Sequence, residues 1–126
     1  MKRGTVVLTP FPFTDLSGRK VRPALVVSRS DRPGSDVLLA FLTSKQNPTL
    51  ARSDLRVESS HPDFAQTGLK VSSVVKLDKL VTVEQSIILG ELGEFSAALL
   101  NEVNEKLRYA LALESEQKAQ DPTPVS

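Results

Sequence analysis

The chain has no cysteine and no tryptophan, and only one histidine, one tyrosine and one methionine among its 126 residues. Without cysteine there can be no disulfide, no thiolate zinc site and no cysteine nucleophile. A reducing compartment fits such a chain. One histidine, His61, rules out a paired-histidine acid–base device within a single copy. No Asp/Glu cluster stands at the apparent strand ends to hold paired magnesium ions, so no metal or cofactor is expected. No apolar run approaches the roughly 18 residues of a membrane helix. The early run Val6-Val7-Leu8 is too short for the core of a signal peptide. The expected location is therefore the cytoplasm, with no membrane partner.

The formal net charge is only +1, but it is unevenly spread. Residues 1–45 hold eight Lys/Arg against three Asp/Glu, and residues 46–80 hold five against four. Residues 81–126 reverse the balance, with three against eight. A basic first third beside an acidic last third is compatible with one face that meets a polyanion. The same sums also arise from ordinary solvated charges.

Residues 1–113 read as a single domain, for which this length is sufficient. Thr5 to Thr9 reads as a strand, broken by Pro10-Phe11-Pro12-Phe13. Thr14 to Val21 is a polar loop ahead of the apolar strand Ala24 to Ser28. Val37 to Thr43 is a third strand, and Ser44 to Ser53 a second polar loop. Asp54 to Glu58 alternates, with Leu55 and Val57 pointing inward. Leu69 to Leu77, Leu80 to Val83 and Ile87 to Leu89 read as three further short β-runs. Gly90 and Gly93 mark the change to helix. From Ser96, a plausible N-cap, Leu99, Leu100, Val103, Leu107, Ala110 and Leu111 recur at helical spacing on one face. Residues 114–126 have little to bury and read as a disordered tail. Short strands separated by turn signals and followed by one amphipathic helix predict a mainly β fold, a small closed or nearly closed barrel with a C-terminal α-helix.

Most of the five phenylalanines are expected in the core. Phe13, beside the basic loop, is kept as a candidate for stacking on a base. His61, before Pro62, reads as a solvated turn residue.

Four segments, in order, carry a resemblance. They are Gly4-Thr5-Val6-Val7-Leu8 through Pro10-Phe11-Pro12-Phe13, Gly18 and Arg22-Pro23-Ala24-Leu25-Val26-Val27-Ser28; then Thr43-Ser44-Lys45; then Ser73 to Leu80; then Gly90-Glu91-Leu92. Together they resemble the MazF/PemK toxins over roughly residues 3 to 112. Asn47 to Ala65 carries no motif that aligns. The resemblance implies an SH3-like barrel of the CcdB/PemK kind that forms a homodimer. It implies an endoribonuclease acting on single-stranded RNA, the toxin of a type II system, neutralised by a MazE-like antitoxin in a complex that binds DNA. It implies products with 2′,3′-cyclic phosphate and 5′-hydroxyl ends.

Arg22 and Thr43 match the family's active-site positions. Pro23 restricts the backbone of Arg22, so its guanidinium is launched from a rigid place. Its planar donors fit phosphate oxygens, and a guanidinium, which keeps its proton, suits charge stabilisation better than proton transfer. The Thr43 hydroxyl ends a strand where it could hydrogen-bond a phosphate. Arg19, Lys20, Ser44 and Lys45 are the candidate RNA contacts. Lys76 and Lys79 flank Asp78 and read as ordinary surface charges. Two rival readings are a CcdB-like toxin that binds a protein target such as gyrase, and an RNA-binding relative without catalysis.

Overall fold

The computed structural model describes residues 1–10, 20–45 and 49–113. Arg19, the two phenylalanines Phe11 and Phe13, and the tail 114–126 lie outside the described residues. Six strands form one antiparallel sheet: β1 (Thr5–Pro10), β2 (Val21–Val26), β3 (Asp36–Thr43), β4 (Asp54–Val57), β5 (Ser73–Glu84) and β6 (Gly90–Glu94). Their spatial order is β4-β5-β3-β2-β1-β6. One helix, α1 (Ala97–Ala110), follows. The fold class is thus mainly β with a C-terminal helix, as the alternation and the helical period predict.

The sheet has two buried sides. Val6, Leu25, Ala40, Leu42, Leu55 and Val57 gather on one side with Leu99 and Val103 of α1. Val7, Ala24, Val26, Leu39 and Phe41 gather on the other. Successive strand residues point to opposite faces. Burial of both faces therefore explains why β2 and β3 read as nearly continuous apolar runs rather than as alternating ones.

Two sequence expectations change in β5 and β6. Leu69–Leu77 and Leu80–Val83 are not two strands, because Ser73 to Glu84 is continuous. Its pairing with β3 shifts: Ala40 faces Leu80, whereas Leu42 faces Val75. Two steps along β3 therefore match five along β5, and the surplus forms a bulge around Leu77-Asp78-Lys79. Its polar residues look like a strand end in the sequence. Ile87–Leu89 is not a strand either; Gln85–Ile87 is a 3-10 turn, and Gly90–Glu94 forms the sixth strand.

Gly93 sits in that strand because backbone approaches it. A methyl group there would collide with the backbone of Gln66 and Thr67. Gly68, at φ +76°, would in the same way strike Leu92. A 3-10 turn, Ala65–Thr67, thus lies directly against β6.

Helix α1 starts as its sequence predicts. The Ser96 hydroxyl accepts from the Leu99 N–H at 3.2 Å and donates to Asp63 Oδ2 at 2.6 Å. Leu99 and Val103 are fully buried, each worth about 1.5–3 kcal/mol relative to exposure. Leu111 departs from the expected apolar face and is 52% exposed. There the helix ends: Leu113 N–H donates to Arg108 O and Ala112 N–H to Tyr109 O, with Ala112 at φ 57°. This is a Schellman closure with alanine at the left-handed position that glycine favours. His61 is also not simply solvated. Its Nδ1 accepts from the Asp63 N–H at 2.9 Å, and its Nε2 lies 3.9 Å from Glu102 Oε2 on α1.

Two stability changes of opposite sign follow. Gly68→Ala should lower the unfolding free energy by about 2 kcal/mol or more, because it adds both a backbone collision and a left-handed β-carbon. Ala112→Gly should raise it by about 0.5–1 kcal/mol. Urea unfolding monitored by circular dichroism measures both.

Candidate functional site

The cavity of interest lies on the side of the sheet away from α1. Arg22 is the second residue of β2, and Ala24 on the same strand faces Phe41 of β3. Extending that register by two residues brings Arg22 opposite Thr43, the last residue of β3. Thr43 in turn faces Val74 of β5. Lys76 is two residues further on, on the same side as Val74, and faces Asp54 of β4. Four adjacent strands therefore deliver Arg22, Thr43, Lys76 and Asp54 to one place.

The bulge in β5 adds a further lysine. On a regular strand, residues three apart point to opposite faces. Val75 and Leu77 join the helix-side core before the bulge, whereas Val81 and Val83 join the opposite cluster after it. The parity of the strand is reversed, so Lys76 and Lys79 both face the cavity. Its volume is about 330 Å³. Arg22, Thr43, Lys45, Asp54, Lys76 and Lys79 supply its polar lining. Phe41, Leu50 and Val74 supply an apolar wall.

Thr43 is held for use as a donor. Its Oγ1 accepts the Lys45 N–H at 3.1 Å, which occupies one lone pair and leaves the hydroxyl proton to be donated elsewhere. The same bond folds the chain after β3 so that Lys45 also reaches the cavity. Asp54 is the one carboxylate among the described residues of the lining. Its side chain is 2% exposed, and the Lys76 ammonium lies 3.0 Å from it. Among the described residues of the lining, four cations stand with one carboxylate, a positive balance. Such a lining favours a ligand with several anionic oxygens. The apolar wall offers contact area for a flat or apolar group attached to them.

The residues singled out from sequence separate into three groups. Arg22, Thr43 and Lys45 line the cavity together. Ser44 is exposed beside it, near Arg56 and Ser73, and Lys20 is exposed just before β2 without lining it. Arg19 is outside the described residues. Sequence reasoning missed Asp54, Lys76 and Lys79 as members of the cavity. The available signal was the alternation Val75-Lys76-Leu77, which turns Lys76 away from the core that its neighbours enter. Among the described residues, no three His, Cys, Asp or Glu side chains form a metal-binding group. No described helix is long and apolar enough to cross a membrane.

Comparison with known proteins places this geometry. A structure from Mycobacterial species, an endoribonuclease in complex with its cognate antitoxin, superposes with a TM-score of 0.69 at 26% identity, covering 91% of this chain and 98% of that one. A MazF from Deinococcus radiodurans (Form-I) superposes with a TM-score of 0.66 at 26% identity, covering 89% and 96%. The Mycobacterium tuberculosis toxin MazF-mt6, at 19% identity, shares the fold with a TM-score of 0.69 over 88% and 99%. No match was found among curated protein sequences. The model of the PemK-like, MazF-like toxins of type II toxin–antitoxin systems matches residues 2–111, and the chain belongs to that family.

Proposed function

We propose that the protein is a toxin endoribonuclease that cleaves single-stranded RNA in this cavity without a metal ion. The observation that carries the reading is the convergence of Arg22, Thr43 and Lys45 with two further lysines in one cavity. RNA offers the matching chemistry, with phosphate oxygens for the cations and flat bases for the wall of Phe41, Leu50 and Val74.

In the reaction, the ribose 2′-oxygen attacks the adjacent phosphorus as its proton leaves. The bond from phosphorus to the 5′-oxygen breaks, and that oxygen takes up a proton. The products are a 2′,3′-cyclic phosphate and a 5′-hydroxyl. Charge grows on the non-bridging oxygens in the transition state, where preorganised donors are most effective. Arg22 supplies a fixed guanidinium there, and Thr43 donates its hydroxyl to a phosphate oxygen. Lys45, Lys79, Lys20 and Arg19 hold the RNA backbone, and Ser44 lies close enough to the cavity to assist. The cognate antitoxin, a MazE-like protein, is the expected inhibitor. Antitoxin complexes among the structural relatives support that partner. A homodimer and a cytoplasmic location complete the reading.

Incubation of long, varied single-stranded transcripts with the purified protein in EDTA tests it. Discrete fragments with cyclic phosphate ends are expected. Arg22→Ala should reduce cleavage by roughly 10²–10³-fold with its unfolding transition unchanged. Equal cutting by Arg22→Ala would remove Arg22 from the chemistry. RNA binding without cutting by the parent would favour a non-catalytic relative. Lys79→Ala should weaken RNA binding and reduce its salt slope by about 0.7, the share of one single-strand phosphate contact.

A further inference from the structure

Lys76 stands apart from the other cations in the cavity. It faces Asp54 directly across the β4–β5 ladder. Its ammonium hydrogen-bonds Asp54 Oδ2 at 3.0 Å and lies 3.0 Å from Oδ1 as well. Oδ2 also accepts the Ala51 N–H at 3.0 Å, while buried Oδ1 makes no hydrogen bond and depends on the ion pair with Lys76. The carboxylate is 2% exposed and the lysine 26% exposed. Lysine is normally a mobile point charge on a flexible stem. Here the carboxylate anchors it at the wall of the cavity, with N–H groups left over beyond the bond to Asp54.

A structural role alone does not account for the charge. Closing the turn at Ala51 needs only a hydrogen-bond acceptor, which a neutral asparagine provides equally. A buried ion pair contributes little net stability over neutral groups of similar shape. A buried carboxylate in a cavity that takes polyanions also weakens their binding. An ammonium held in one place is what the pair supplies in return.

We propose that Asp54 is a positioning residue that acts through Lys76, holding the ammonium so that one of its free N–H groups meets a non-bridging oxygen of the scissile phosphate. This rests on the endoribonuclease reading above. Asp54 touches neither RNA nor a reacting atom. It exchanges some affinity for a donor that is in place before charge develops. Loss of its charge therefore has opposite effects on binding and on turnover. A freed Lys76 grips phosphate at least as well, but no longer at the position the transition state requires.

The test combines one chemical and one kinetic measurement on the full chain. In the first, the parent is treated with a limiting amine-acylating ester, and modification of each lysine is followed by mass spectrometry. Lys76 should react at least about tenfold more slowly than Lys79, and Asp54→Asn should remove most of that protection. Equal reactivity of the two lysines in the parent would overturn the anchoring itself. In the second, Asp54→Asn should lower kcat by roughly ten- to a hundredfold while KM stays the same or falls. Lys76→Arg, whose guanidinium can straddle the same carboxylate, should keep most of the turnover. In a Lys76→Gln background, Asp54→Asn should cause little further loss, because both changes remove the same anchored donor. A parent that cuts while Asp54→Asn leaves kcat unchanged overturns the assignment and spares the functional reading. So does a full further loss in the Lys76→Gln background. A parent that cuts no RNA overturns both, even with Lys76 shielded from acylation.

Discussion

While β3 advances two residues, from Ala40 to Leu42, β5 runs five, from Leu80 back to Val75, and the surplus decides which side of the sheet each residue of β5 meets. Before that point, odd-numbered residues enter the helix-side core; after it, they enter the opposite cluster. Without the reversal, Val81 and Val83 would turn toward α1, and Lys79 would leave the cavity. The bulge therefore serves packing and site at once. It lets one long strand contribute apolar residues to both sides and place Lys76 and Lys79 together. A bulge beside a functional cavity is a common way for a sheet to redirect a side chain without breaking its ladder.

The division of the sheet into two faces also separates stability from chemistry. Leu99 and Val103 seal one face against β4 and β5, and the helix is fixed at its start by the Ser96 hydroxyl. Among the described residues no helix lies over the other face, which presents the cations. Arg22 comes from β2, Lys76 and Lys79 from β5 and Lys45 from the turn after β3, so most of their mutual repulsion is carried by the sheet. Asp54 relieves part of that repulsion at the point where burial would make it most severe.

Much of this organisation is legible in the sequence, and the failures have physical causes. Val37 to Thr43 is apolar over its length because both faces of β3 are covered. The three- and four-residue spacing from Leu99 to Leu107 marks α1 because only one side of that helix meets the core. Arg22, Thr43 and Lys45 are legible from their place at strand ends and from the family resemblance. Lys76, Lys79 and Asp54 are not. Their meeting depends on register between strands distant in sequence and on a bulge whose polar residues imitate a strand end. Gly90 and Gly93 mislead for a similar reason. Glycine there looks like a turn signal, whereas Gly93 is required by the backbone of Gln66 and Thr67 pressed against it.

That contact also bears on how the sheet ends. An open sheet has two margins whose unpaired amides invite further strands, and a flat apolar margin is a site of uncontrolled self-assembly. Here β6 is a five-residue strand of glycine, glutamate and one leucine, offset from β1 by a register shift and flanked by the turn at Ala65–Thr67. The opposite margin, β4, is four residues long and carries Arg56 within 3.6 Å of Glu58. Both margins are short and charged. A chain whose central strands are as apolar as β3 is thereby protected from adding copies of itself edge to edge.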